Sequence, residues 1–329
     1  MSAPLLSVRG LSARFRAGGR EVTAVDDVSF DVGEGEVLGL VGESGSGKSV
    51  TLRSLLRLLP SGAQVEGEAL WEGNDLVAMP DAQLRRVRGG AISMIFQEPM
   101  TALNPVLPIR VQIEESLRAH TALDRSGRRA RARELLDLVG IPDAARRLDE
   151  YPHQFSGGMR QRAMIAIALA SEPRLLLADE PTTALDVTIQ DQILKLILDL
   201  KDRLGMSVVL VTHDLGVVAE TCDRMAVMYA GRIAEQGGGR EVFATPRHAY
   251  TLGLLGSVPR AGTERSTLRS IEGTPPGLAA IPPGCAFHPR CAFATDVCRE
   301  VRPELSPWEP GHLAACHHGD RVAHASLAA

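Results

Sequence analysis

The sequence predicts an α/β fold built on a largely parallel sheet, with a helical insertion and a carboxyl-terminal extension. Three observations carry this. "EVLGLV" (Glu36–Val41), "RLLLADE" (Arg174–Glu180) and "SVVLVTH" (Ser207–His213) contain near-continuous apolar runs, the pattern of strands buried on both faces. Helical periodicity alternates with them, as in Ile189, Ile193, Ile197, Leu200 and Leu204, which fall on one face. From about Thr245 the texture changes to "GTPPGLAAIPPG" and "RPELSPWEP", rich in proline and glycine. That composition predicts an irregular appendage rather than a continuation of the sheet.

Along the chain, "AVDDVSFDV" (Ala24–Val32) alternates apolar and polar residues and reads as a strand. The strand read at "EVLGLV" runs into a glycine-rich stretch, and "VTLRSLLRLLP" then has helical spacing up to Pro60. Between Phe96 and Ser156 the chain is polar and arginine-rich. Its segment "RARELLDLVGIP" carries helix stop signals at Gly140 and Pro142, which predicts a helical insertion.

Bulk properties exclude some functions. The 329 residues carry 36 basic and 40 acidic side chains, a formal charge of -4, which gives no electrostatic reason to expect nucleic acid as a partner. The start lacks a basic segment followed by an apolar core and a cleavage site, and the longest apolar stretches fall far short of the ~20 residues a spanning helix needs. The expectation is a protein neither secreted nor membrane-spanning.

The chemistry concentrates at strand ends. "GESGSGKS" (Gly42–Ser49) fits G-x-x-x-x-G-K-[ST] between a buried strand and a helix. Its glycines let successive backbone N–H groups point at phosphate oxygens, and the helix that follows adds the positive end of its dipole. In that pattern Lys48 reaches the β and γ phosphates and Ser49 ligates magnesium. A glycine-rich turn with a solvated lysine is the plainer alternative. At the end of "RLLLADE", Asp179 is placed to hold the magnesium shell and Glu180 to polarise an attacking water. Two solvated acids would look the same in isolation. His213, closing "LVTH", is a candidate γ-phosphate contact against the commoner structural histidine. Gln97 in "FQEP" says nothing alone. "SGGM" (Ser156–Met159) offers exposed glycine amides and a hydroxyl at a helix start, a second anion-binding arrangement, and Ser156 is also a natural helix N-cap.

Taken together these stretches resemble the ATP-binding cassette family, the ATPase subunits of ABC transporters. "GESGSGKS" matches the Walker A loop, "FQE" the Q-loop, "LLLADE" the Walker B strand, "TALD" the D-loop, "THD" the switch histidine and "FSGGM" the signature motif, commonly LSGGQ. Six motifs agree in order over roughly the first 240 residues. Phe155 and Met159 depart from the signature, which touches an apolar contact and one side-chain contact and leaves Ser156, Gly157 and Gly158 intact. The resemblance implies a P-loop NTPase fold of the ABC nucleotide-binding type over residues 1–245, with a helical subdomain at about 98–170. It implies ATP held by Gly42, Ser44, Gly45, Ser46, Gly47, Lys48, Ser49 and Val50, with Phe15 as candidate adenine platform. It implies Mg2+ at Ser49, Gln97 and Asp179, and catalysis by Glu180 with His213 and Gln97. It further implies that Ser156, Gly157, Gly158 and Asp186 face the nucleotide of a second cassette, so that ATP joins two subunits.

"MIFQEPMTALNPV", "YPHQFSGGMRQR", "EPTTALDVT" and the tail "GCAFHPRCAFATDVC" are closer still to the dipeptide and oligopeptide permease ATPases. That branch implies a carboxyl-terminal extension at 246–329. It also implies a second ATPase subunit, two integral permease subunits, an extracytoplasmic peptide-binding protein acting indirectly, and a peripheral place on the cytoplasmic face of the inner membrane. Dipeptides, longer peptides and nickel stay open as cargo. A soluble ABC ATPase acting on DNA or ribosomes is the runner-up, and a P-loop kinase or switch GTPase leaves "SGGM" unexplained. Cys285, Cys291, Cys298 and Cys316 are separated by five, six and seventeen residues, without the tight C-x-x-C pairs of structural zinc sites. Four thiolates suit zinc or an iron–sulfur cluster. The branch's extension implies a 4Fe-4S cluster with a structural role.

Overall fold

The computed structural model describes residues 3–17, 19–183, 185–257 and 271–327. The chain divides into two compact units, Met1–Ala78 with Val211–Ala329, and Met79–Leu210.

The first unit holds an antiparallel sheet in the order Arg20–Val32, Leu6–Ala17, Gln64–Trp71 and Asn74–Asp75. Leu6 pairs with Val32 and Val8 with Phe30, and all four side chains are buried. The same unit holds the strand Val37–Val41, buried along its whole length and paired in parallel with Arg224–Tyr229. An antiparallel strand, Arg232–Gly238, follows on the other side of Arg224–Tyr229. The sheet is therefore parallel in its centre and antiparallel at this edge.

The helix after the glycine-rich loop is Lys48–Leu55, shorter than the periodicity up to Pro60 predicts. It stops because Arg57 takes a left-handed conformation (φ 48°), with Arg57 N–H donating to the Ser54 carbonyl at 3.0 Å and Leu58 N–H to the Arg53 carbonyl at 2.8 Å. These are the paired bonds of a Schellman end, made here without the glycine that usually marks it.

In the second unit the strand Ile92–Ile95 pairs in parallel with Leu175–Asp179. Residues between them form the helices Ile109–His120, Arg125–Leu138 and Gly157–Ala168 and shorter turns. Asp124 caps Arg125–Leu138 by accepting from Gly127 N–H at 2.7 Å, and the helix ends before Gly140, whose φ of 73° only glycine adopts without strain. The long helix Val187–Leu204 buries Ile193, Leu194, Ile197 and Leu200 and closes on Gly205.

The tail departs from the expected irregular appendage. It contains the helices Ala249–Gly256 and Gly319–Leu327, and its hairpin Ser306–Glu309 with His312–Ala314 continues the sheet. Glu235 lies opposite Ala314 and Gln236 opposite Leu313. Proline-rich composition hid these strands because each is only three or four residues long and Pro307 sits on the outer one. Tyr250, Phe287 and Val322 of the tail share one core with Val41, Val218, Met225, Val227 and Tyr229. Buried Glu235 accepts from the Arg247 and His248 N–H groups at 2.6 and 2.9 Å and lies 2.7 Å from His312 Nε2, so its carboxylate is compensated by the tail itself.

Candidate nucleotide site

The phosphate loop lies in the first unit. Gly42 (φ 149°) and Gly47 (φ 104°) occupy backbone conformations that favour glycine. A Cβ on Gly42 would strike the Met228 carbonyl, and one on Gly47 would lie 2.7 Å from the Ala24 carbonyl. The backbone passes so close at both positions that no side chain fits, as a cradle of backbone amides for phosphate requires. Lys48 is buried, and its Nζ donates to the Gly42 carbonyl at 2.7 Å, the Glu43 carbonyl at 2.9 Å and Ser46 Oγ at 3.3 Å. Ser44 and Gly45 are exposed, whereas Ser49 and Val50 open the helix half-buried.

Phe15 sits half-buried on the strand Leu6–Ala17, opposite Val22. His213 is exposed one residue beyond the strand Ser207–Thr212. Thr212 Oγ1 accepts from Asp214 N–H at 3.1 Å, and the Asp214 carboxylate caps the next helix by accepting from Gly216 and Val217 N–H. His213 is thus mounted between a strand end and a capped helix start.

The second unit carries the remaining catalytic candidates. Asp179 is fully buried at the end of Leu175–Asp179 and Glu180 follows it, half-buried and in a left-handed conformation (φ 46°). A non-glycine residue held there is strained, a state that persists where the surrounding structure fixes it. Gln97 Nε2 donates to Glu180 Oε2 at 3.1 Å, and Thr183 Oγ1 donates to the same oxygen at 2.8 Å. The structure therefore brings Gln97 and Glu180 together. Sequence reasoning missed Thr183, for which the only signal was its place in "EPTTALD".

Ser156 is the N-cap of Gly157–Ala168 and accepts from Met159 N–H at 3.3 Å. Ser156 and Gly157 are exposed and Gly158 is half-buried against Ile189. The capping role and an outward-facing amide cluster thus coexist. Asp186 stands exposed at the N-cap position of Val187–Leu204, without a side-chain capping bond, and Val187 beside it is 80% exposed.

Cys285, Cys291, Cys298 and Cys316 are free and line one cavity of about 20 Å³ with His248 and His318. Burial raises the thiol pKa of Cys285 and Cys291 and pushes that of Cys316 up to about 11. Among the described residues, no group of three or more His, Cys, Asp or Glu is arranged to hold a metal ion. The expected 4Fe-4S site is therefore not present as a formed metal centre, although its four donors converge.

No helix among the described residues is long and apolar enough to cross a membrane. A family model described as ABC transporter matches residues 25–183, and one described as Oligopeptide/dipeptide transporter, C-terminal region, matches residues 234–298. The oligopeptide transport ATP-binding protein OppD of Haemophilus influenzae is 48% identical over 95% of this chain and 97% of its own. The dipeptide transport ATP-binding protein DppD of Bacillus subtilis is 50% identical over 98% and 97%. A solved structure of the ATP-binding cassette MJ0796 in a dimeric post-hydrolysis state bound to ADP and Pi superposes with a TM-score of 0.64. It has 31% identity and covers 71% of this chain and 99% of that one. With this similarity along nearly its whole length, this chain belongs to the ABC transporter family as an ATPase of the oligopeptide/dipeptide branch.

Proposed function

We propose that the chain is the ATP-hydrolysing subunit of an importer that drives di- or oligopeptides across the cytoplasmic membrane. The observation that carries this is similarity to peptide-transport ATPases along nearly the whole chain, including the tail that a bare cassette lacks. It works with a second ATPase subunit and two integral permeases, on the cytoplasmic face of the membrane, and an extracytoplasmic peptide-binding protein acts with it only indirectly, through the permeases.

In this reading Gly42–Ser49 hold the phosphates of ATP, Ser49, Gln97 and Asp179 carry the Mg2+ shell, and Phe15 stacks on adenine. Glu180 polarises the attacking water with His213 at the γ phosphate. Ser156, Gly157, Gly158 and Asp186 serve the nucleotide of the opposite cassette, which the exposure of Ser156, Gly157 and Asp186 supports. Residues 1–245 form the cassette, with the helical subdomain at about 98–170, and 246–329 the extension.

The four tail cysteines are proposed to hold a 4Fe-4S cluster. What supports this is that four free thiols line one cavity, a donor set that suits a cluster with one thiolate per iron. When bound, the cluster would add a covalent staple to the tail's apolar core. Its test is the brown colour and absorbance of protein purified without oxygen, lost on changing the four cysteines to serine; colourless protein with stoichiometric zinc would reject it.

The transport reading is tested in cells lacking this chain. Uptake of a labelled tripeptide should be lost, restored by the wild type and not by Lys48→Ala. Undiminished uptake without the chain would reject the reading.

A further inference from the structure

The residue that follows the first glycine of the phosphate loop, Glu43, is held from the tail. Arg290 grips its carboxylate with two parallel bonds, Nη1 to Oε2 at 2.7 Å and Nη2 to Oε1 at 2.9 Å. The Arg290 side chain is only 5% exposed. Its Nε donates to the Glu272 carbonyl at 3.0 Å, and Nη1 also lies 3.4 Å from the Tyr229 hydroxyl. Tyr250, fully buried, accepts from the Glu43 N–H at 2.7 Å. Glu43 is thus fixed by side chain and backbone at once, and its carbonyl is an acceptor for Lys48 Nζ at 2.9 Å.

Both grips belong to the tail, Tyr250 on the helix Ala249–Gly256 and Arg290 among the cysteines. Arg290 closes the short turn His288–Arg290, between Cys285 and Cys291, where His288 N–H donates to the Cys285 carbonyl at 3.0 Å. Phe287, at the base of this turn, packs against Tyr229 and Tyr250 with ring centroids 5.2 and 5.4 Å away. A displacement of the turn therefore moves Arg290, and with it the support of Glu43. Bidentate guanidinium–carboxylate pairs are directional as well as strong, which suits a clamp better than a lysine would.

We infer that Arg290 and Tyr250 are positioning residues of the ATP site, holding the phosphate loop through Glu43 so that the ordering of the cysteine-bearing tail sets affinity for ATP. This rests on Gly42–Ser49 being the phosphate loop of an ATPase. The tail is in that sense part of the nucleotide site, without touching the reacting atoms.

The test is binding of a fluorescent ATP analogue with Mg2+ to the full chain, with ATP turnover measured in the assembled transporter. Losing a charge-assisted bidentate contact that positions the loop should raise Kd about tenfold in Arg290→Met. Turnover at saturating ATP should stay near the wild-type value, and Arg290→Lys should recover part of the affinity. In the Glu43→Gln/Arg290→Met double variant, the effects should not add. A brace unrelated to nucleotide would lower the melting midpoint and leave Kd within twofold at temperatures where the variants are folded, and that result overturns the inference. If Arg290→Met does not fold, Glu43→Gln decides alone, since it must raise Kd by a similar factor. If the wild type itself failed to bind Mg-ATP, the ATPase reading would fall rather than the clamp.

Discussion

Gln97 Nε2 lies 3.1 Å from Glu180 Oε2, so the Q-loop amide is a direct partner of the carboxylate that closes the Walker B strand. Removing the charge from Glu180 should leave Mg-ATP binding intact while hydrolysis falls by at least ~100-fold, the range expected when a general base is lost. Glu180→Gln should elute as an ATP-dependent dimer in size-exclusion chromatography. Normal turnover in that variant would remove Glu180 from the mechanism.

Thr183 donates to the same Glu180 oxygen at 2.8 Å. Thr183→Val removes a hydrogen bond to a carboxylate worth about 1.5–3 kcal/mol, which corresponds to a fall in kcat of roughly ten- to a hundredfold with KM for ATP unchanged. A rise in KM alone would mean that Thr183 acts on nucleotide binding instead.

Ser156 combines a cap with an exposed hydroxyl, and the two roles separate by measurement. Ser156→Ala should lower stability by about 1 kcal/mol in denaturant titrations, as lost caps do. ATP hydrolysis by the paired cassettes should fall well beyond that, and Ser156→Thr should keep the cap. Hydrolysis that tracks stability alone would reduce Ser156 to a structural residue.

Gly47 is held at φ 104° with its missing Cβ 2.7 Å from the Ala24 carbonyl. Gly47→Ala forces both strain and a backbone clash, together costing on the order of 1–3 kcal/mol. Mg-ATP affinity should drop with it, read in the same titration as the thermal midpoint.

Cys222 provides a pH-dependent readout remote from the phosphates. Burial lifts its thiol pKa from the ordinary 9.0 to about 11. The native state keeps the proton where the unfolded chain releases it, so this contribution is complete below pH 9 and is lost as pH rises from 9 to 11. Iodoacetamide at pH 8 should modify Cys222 far more slowly in the folded protein than in urea, as peptide mapping by mass spectrometry would show. The alkaline loss of stability should shrink in Cys222→Ala.

The strands most legible in the sequence were those buried on both faces. Val37–Val41, Leu175–Asp179 and Ser207–Thr212 appear where their apolar runs stand, because a strand covered on both sides needs no alternation. The phosphate loop was legible because its glycines answer a backbone demand. Less legible was the end of Lys48–Leu55, where an arginine adopts the turn that glycine usually signals. The tail misled because its order comes from partners distant in sequence, Glu235 for His312 and Glu43 for Arg290, which no local pattern reveals. The Gln97–Glu180 bond was hidden in the same way, 83 residues apart.

The hairpin Ser306–Ala314 pairs with Glu235 and Gln236 on the otherwise free side of Arg232–Gly238. Stripped of it, that strand would offer a row of open amides and carbonyls beside Ile233 and Ala234, an invitation to stack with a neighbouring copy. The replacement edge is poor at recruiting others, since it is four residues long and bears Pro307 and Glu309. A chain shortened before the hairpin is therefore expected to clump during expression rather than yield a smaller working cassette.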